Sequence, residues 1–211
     1  MSIAVAALTL WILWLLLAFG VRIAVSLRRT GDAGLRMGTA PPGSAQWWGK
    51  TLFALVALAA CAAFIADLAG LPRIGLLHHP ALQAVGVVLA LIGIPGTLIA
   101  QLAMGDSWRI GVDETERTPL VTTGVFRYVR NPIFTAMLLT AAGLALMVPN
   151  VFSLAGTAIL LGAIELLVRV VEEPYLQRAH GTDFHRYAAQ VGRFIPGIGR
   201  LTPTSRTTHP H

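Results

Sequence analysis

Charge is what this chain has least of: only 12% of its 211 residues are Asp, Glu, Lys or Arg. A soluble domain carries roughly 25%, so too few polar side chains remain to cover a water-facing surface. That shortage excludes a soluble globular enzyme. The single cysteine, Cys61, excludes an intramolecular disulfide and says little about redox compartment. Low hydrophobicity is also lacking, since 55% of residues are apolar and the mean hydropathy is +0.68. A disordered chain is therefore excluded. The net charge of +6 does not indicate a nucleic-acid partner, because the basic residues sit between long apolar runs rather than on a polar domain. The lipid bilayer is the expected partner.

Five apolar runs are present. Ile3 to Ile23, Thr51 to Leu71 and Ala81 to Gln101 are each long enough to cross about 30 Å of hydrocarbon. Met1-Ser2 carries no positive charge and the first run is long, so it reads as a retained anchor rather than a secretory signal. Gly93-Ile94-Pro95-Gly96 predicts a kink in the third run. Ile133 to Val148 and Val151 to Val171 are separated only by Pro149-Asn150, which predicts an antiparallel helical hairpin. Gly31 to Ser44 reads as a Gly- and Pro-rich loop, and Leu201 to His211 as a polar end. The fold class is an all-α integral membrane protein with about five transmembrane helices, the last two forming a C-terminal hairpin.

Five crossings leave the termini on opposite sides, and the basic residues choose between them. Arg22, Arg28, Arg29, Arg36 and Lys50 flank the first loop, and Arg109, Arg117, Arg127 and Arg130 lie between the third and fourth runs. Arg169, Arg178, Arg186, Arg193, Arg200 and Arg206 follow the fifth. All of these share one side, and only Arg73 falls on the other. The expected topology has the N-terminus outside, with both large loops and the C-terminal tail cytoplasmic.

Three cytoplasmic features are candidates for chemistry. Glu165, Arg169, Glu172 and Glu173 stand at helical spacings that place all four on one face of a straight helix. Ionisable residues inside a membrane span face a bundle interior or a wet cavity. A snorkelling ion-pair cluster is the plainer alternative. Thr118 to Phe134 reads TPLVTTGVFRYVRNPIF. Gly124 permits a close backbone approach, and Pro132 suits the first turn of a helix. Arg127 and Arg130 can hold a carboxylate, while Phe126, Tyr128 and Phe134 can stack on a flat or cationic ligand. An ordinary basic loop with interfacial aromatics is the rival here. In the tail, Leu176, Phe184, Tyr187 and Val191 form the apolar face of an interfacial cytoplasmic helix, or of a lid that excludes water. His180 and His185 have a spacing that suits no metal pair, and no metal is expected.

The segment TPLVTTGVFRYVRNPIFTAMLLTAAGLAL, followed by EEPYLQRAHGTDFHRYAAQVGRFIP, resembles the isoprenylcysteine carboxyl methyltransferase family, integral-membrane enzymes that use S-adenosylmethionine. The resemblance covers roughly Met104 to Pro196. It implies a cofactor motif on Thr118, Pro119, Leu120, Val121 and Phe126, then Asn131, Pro132, Ile133 and Phe134. It also implies a functional acidic pair at Glu172 and Glu173 and a substrate-binding arginine at Arg169, with Glu165 beside it. Asn131 and Phe134 depart from the family's usual His and Tyr, and Phe126 replaces a frequent Tyr. The implied activity is methyl transfer from S-adenosylmethionine to a lipophilic acceptor, such as an isoprenylcysteine carboxylate entering from the bilayer.

A three-helix membrane region is expected over 1–101, a methyltransferase core over 102–200 and a flexible tail over 201–211. The small residues Gly93 and Gly96 suggest a route for the acceptor between the third run and the hairpin. Two rivals stand beside this reading: a non-catalytic accessory protein of the same fold, and an NADPH-dependent sterol-reductase-like enzyme.

Overall fold

The computed structural model describes residues 2–35, 40–111 and 118–202. Arg36, Arg117 and Arg206, which entered the charge argument, lie outside these residues, as does nearly all of the expected flexible tail. The described residues are helical throughout, apart from turns, loops and three isolated bridges. Helix α1 spans Ile3–Thr30, α2 Ala45–Leu68, α3 Pro80–Ala103, α4 Pro132–Met147 and α5 Val151–Leu166. A π-helical segment, Leu167–Glu172, leads without a break into α6, Glu173–Gln190. All five expected runs are therefore helices, and apolar side chains such as Leu58, Ile65, Leu91 and Ile99 point outward. Outward leucine and isoleucine on this scale belong against lipid tails. The chain is an integral membrane protein.

Local chemistry fixes the ends. The Ser44 hydroxyl accepts from Trp47 N at 3.2 Å and starts α2 ahead of the apolar run. Asn150 and Ser153 form a reciprocal cap at the start of α5, which lets a two-residue turn join the hairpin. Asn150 is only 3% exposed, and its Nδ2 donates to Ala63 O of α2 at 2.8 Å. Ile74 N donates to Pro149 O at 2.7 Å, so the loop between α2 and α3 covers the hairpin tip. This covering accommodates an α4 of only 16 residues.

Helices α3 and α4 pack along a glycine seam. A methyl on Gly86 would lie 2.6 Å from Gly143 O, and one on Gly143 would lie 2.6 Å from Ala90 N. A methyl on Gly93 would collide with Thr140 Oγ1. Gly86, Gly93 and Gly143 therefore close this seam, so Gly93 does not open the route that the sequence suggests, whereas a methyl on Gly96 would only touch Ala136 Cβ at 3.4 Å. Their use is close backbone approach, since lipid supplies no hydrophobic force between helices. Gly143→Leu is expected to destabilise the bundle by about 3 kcal/mol or more, because both facing backbones must move. Thermal unfolding in detergent measures this, and an unchanged midpoint contradicts the packing account.

Candidate active site

The ends of α1, α2 and α3, the start of α4 and the junction of α5 with α6 surround a cavity of about 540 Å³. That volume lies within the range of small-molecule sites, about 300–1,000 Å³. Thr118, Pro119, Leu120 and Val121 line it along one loop. Phe126, Arg130, Asn131, Pro132, Ile133 and Phe134 line it where that loop enters α4, and Glu172 lines it from the π segment. The structure thus brings together most of the residues expected to bind cofactor, with one of the two paired glutamates.

Glu172 is the unusual group. Among the described residues it has no hydrogen-bond or ion-pair partner, although it belongs to a largely apolar lining. Its neighbour Glu173 is the opposite case. Glu173 Oε1 accepts from Arg130 Nη2 at 2.7 Å and from Arg193 Nε at 2.8 Å, while Oε2 accepts from Arg193 Nη2 at 2.8 Å. The hydrogen bonds that Arg193 donates to Glu173 raise the pKa of its guanidinium, against the opposing effect of burial. Glu173 does not line the cavity; it anchors the wall behind it.

Arg130 joins the two environments. Its side chain is 2% exposed, and its terminal nitrogens donate to Glu173 and to the carbonyls of Ala188, Val191 and Gly199. Its Nε is buried with no partner, although Arg130 lines the cavity. An orphaned buried donor beside a cavity marks a place for a ligand acceptor. The tail loop is sewn to the same place: Arg130 N donates to Gly192 O at 2.8 Å and Asn131 N to Arg193 O at 3.1 Å. Asn131 Nδ2 donates to the same Arg193 carbonyl at 3.2 Å, so its amide holds the loop. Tyr187 of α6 donates to Phe126 O at 2.6 Å. Gly192 tolerates no side chain, because a methyl there would collide with Ile195 O.

Besides Glu173, five expected residues stand outside the cavity lining. Arg169 and Glu165 pair with each other one turn apart, the arginine side chain is 56% exposed, and neither lines the cavity. The expectation of a single helical face carrying Glu165, Arg169, Glu172 and Glu173 fails at Leu167–Glu172. The π segment adds a residue to the turn and breaks the α-helical spacing, with Glu172 lining the cavity and Arg169 paired outside it with Glu165. Arg127 lies over the ring of Tyr128 at 5.5 Å, and Tyr128 is 61% exposed, so this pair faces outward. Gly124, at φ +60°, opens the short 3₁₀ turn Gly124–Arg127 and serves the backbone rather than the cavity. The tail helix is also not purely interfacial: Phe184 is 1% exposed, and the helix turns at Gly181, φ +48°.

Other lining residues escape the motif reading. Trp14 and Phe19 come from α1, Lys50 and Phe53 from α2, and Gln101 from α3. Trp14 Nε1 donates to Thr97 Oγ1 at 3.2 Å, and Gln101 Nε2 to Ala18 O at 3.1 Å. Ala18 lies in a second π segment, Leu16–Val21, so π segments flank the cavity on two walls. Trp108 also lines it, held by the Arg22 guanidinium 4.4 Å from its ring centre. Polar residues at the ends of apolar spans were the available signal for Lys50 and Gln101.

A lipid-facing helical bundle whose largely apolar cavity gathers a motif loop, a buried arginine and a carboxylate unpartnered among the described residues defines a membrane-embedded protein with a candidate ligand site. Residues 81–183 match the phospholipid methyltransferase family model. The chain is also 26% identical over 148 residues to protein-S-isoprenylcysteine O-methyltransferase B of Arabidopsis thaliana, a match covering 69% of this chain and 74% of that relative. Over these stretches the chain is similar to membrane-embedded methyltransferases.

Proposed function

We propose that this chain methylates the carboxylate of a lipophilic acceptor, isoprenylcysteine or a related lipid, with S-adenosylmethionine as donor. One observation carries the reading: Glu172 and Arg130 line one cavity together with the Thr118–Val121 loop. The donor carries a carboxylate, a cationic amine, ribose hydroxyls and a flat base, and the lining offers a counterpart for each. Arg130 suits the carboxylate, Glu172 the amine or the hydroxyls, and Phe126, Phe134 and Trp108 the base. When bound, S-adenosylmethionine supplies an electrophilic methyl group on a positive sulfur, and a carboxylate oxygen that accepts it has no proton to lose. No general base is therefore needed, and the residues act by positioning and by excluding water.

Support for the rest of the assignment follows the same line. We assign the cofactor to the motif loop, and we place the site and the C-terminus on the cytoplasmic side by the distribution of arginines. Glu173 serves as a positioning residue through Arg130. A radiolabelled methyl-transfer assay in lipid vesicles, with N-acetyl-S-farnesylcysteine as acceptor, tests the proposal. Label in the ester product supports it. Binding of NADPH with no response to S-adenosylhomocysteine supports the reductase rival, and a response to neither supports the accessory one.

A further inference from the structure

The tail turn Ile195-Pro196-Gly197-Ile198 has no part in the cavity lining. Ile198 N donates to Ile195 O at 3.1 Å, with Pro196 second and Gly197, at φ +79°, third, the residues that a type II turn favours. Turns that face water draw on Asn, Asp and Ser beside Gly and Pro. Here both outer positions are isoleucine, 55% and 63% exposed, and the turn carries no polar side chain. Its neighbours fix its depth. Phe194 packs against Met137 of α4 and against Leu160, Ile164 and Val168 of α5. Phe194 O accepts from Thr135 Oγ1 at 2.8 Å, and Thr135 lies about 4.5 Å along α4 from its start at Pro132. Ile164 and Val168 belong to the apolar run Val151 to Val171. The turn therefore stands beside the last turns of the hairpin, at the level of a lipid boundary.

Around the tip the chemistry is cationic. Arg200 is exposed and has no hydrogen-bond or ion-pair partner among the described residues. A methyl on Gly197 would lie 3.5 Å from Arg200 Nη2, so the guanidinium sits over the turn. Through the Val129–Gly192 bridge, the outward pair of Arg127 and Tyr128 stands alongside. The nearby carboxylates are already engaged, Glu173 by Arg130 and Arg193, and Glu165 by Arg169. An apolar tip, arginines without a counter-charge and an edge tyrosine together fit an anionic lipid surface.

We propose that this turn seats in an anionic lipid leaflet, with its isoleucines among the upper acyl chains and Arg200 on a lipid phosphate. Both ends of the turn are fastened to the cavity wall. Gly199 O accepts from Arg130 Nη2 at 3.0 Å, and Arg193 donates twice to Glu173. The seat therefore fixes the depth of that wall relative to the lipid headgroups. This inference does not depend on the methyl-transfer reading.

Nitroxide labelling of the full-length protein tests the proposal, in nanodiscs of phosphatidylcholine and phosphatidylglycerol holding one copy each. The exposed Cys61 is first replaced by serine. At Ile198→Cys, collision with oxygen should exceed collision with a water-soluble nickel chelate severalfold, as at Leu91→Cys on the outward face of α3. Equal or reversed collision rates place the tip in water and overturn the proposal. Shielding that appears only when two copies share a disc assigns the turn to a protein interface and likewise overturns it. The preference for spin-labelled phosphatidylglycerol over phosphatidylcholine should fall about fivefold in Arg200→Gln, the factor for one arginine at an anionic surface. Arg200→Lys should restore most of it, and glycerol phosphate in solution should not compete. An unchanged lipid preference in Arg200→Gln, or displacement by glycerol phosphate, overturns the anionic-lipid assignment.

Discussion

Glu173→Ala is expected to lower stability by about 3–5 kcal/mol, the usual cost of removing one partner from a buried ion pair. The substitution strands two guanidinium groups at once, since Arg130 and Arg193 have side chains only 2% and 12% exposed. Arg130 would keep its carbonyl partners but lose its counter-charge, and the loop around Gly192 would lose its anchor. The motif loop and the tail should loosen together, and ligand binding should fall with them. Arg130→Met combined with Glu173→Leu should recover part of the lost stability while leaving the site inactive, because a buried pair is replaceable by apolar packing where a lone charge is not. Thermal unfolding of the single and double variants in one detergent checks this. Equal midpoints for wild type and Glu173→Ala would show that the network contributes nothing.

Glu172→Gln should behave in the opposite way. Its carboxylate makes no hydrogen bond or ion pair among the described residues, so the unfolding midpoint should stay within about 0.5 kcal/mol of wild type, as for substitutions away from structural features. Methyl transfer at limiting donor should fall about tenfold to a hundredfold, the loss of one charge-assisted contact. The fall should appear as a raised KM for the donor. A destabilised Glu172→Gln with an unchanged KM would move Glu172 from the binding site into the scaffold.

These two neighbours show where sequence reading works and where it stops. The apolar runs identify all five long helices, because lipid requires each crossing to satisfy its own backbone. Pro132 marks a helix start through its fixed backbone angle, and Pro149-Asn150 marks the turn of the hairpin. The loop Thr118–Val121 and the turn into α4 were legible as a motif, and they do line the cavity. The roles of Glu172 and Glu173 were not separable, and Arg169 was misplaced, because sequence periodicity assumes a straight α-helix. A single π segment at Leu167–Glu172 is enough to separate them.

The contribution of α1 and α2 was missed for a different reason. Trp14, Phe19 and Phe53 look like any apolar residues in a span, and only the packing of distant helices shows which of them face a cavity. The boundary between 1–101 and 102–200 is likewise visible only in the sequence: α3 and α4 lie on either side of it and form the tight glycine seam. Gly93 illustrates the same limit, since a small residue signals either an opening or a close approach, and here it is the latter.

Calorimetric titration of the purified protein with S-adenosylhomocysteine tests the central assignment most directly, comparing wild type, Glu172→Gln and Arg169→Ala. The account predicts saturable binding in wild type, the same affinity in Arg169→Ala, and affinity at least about tenfold weaker in Glu172→Gln. No heat in wild type, or a loss confined to Arg169→Ala, would contradict it.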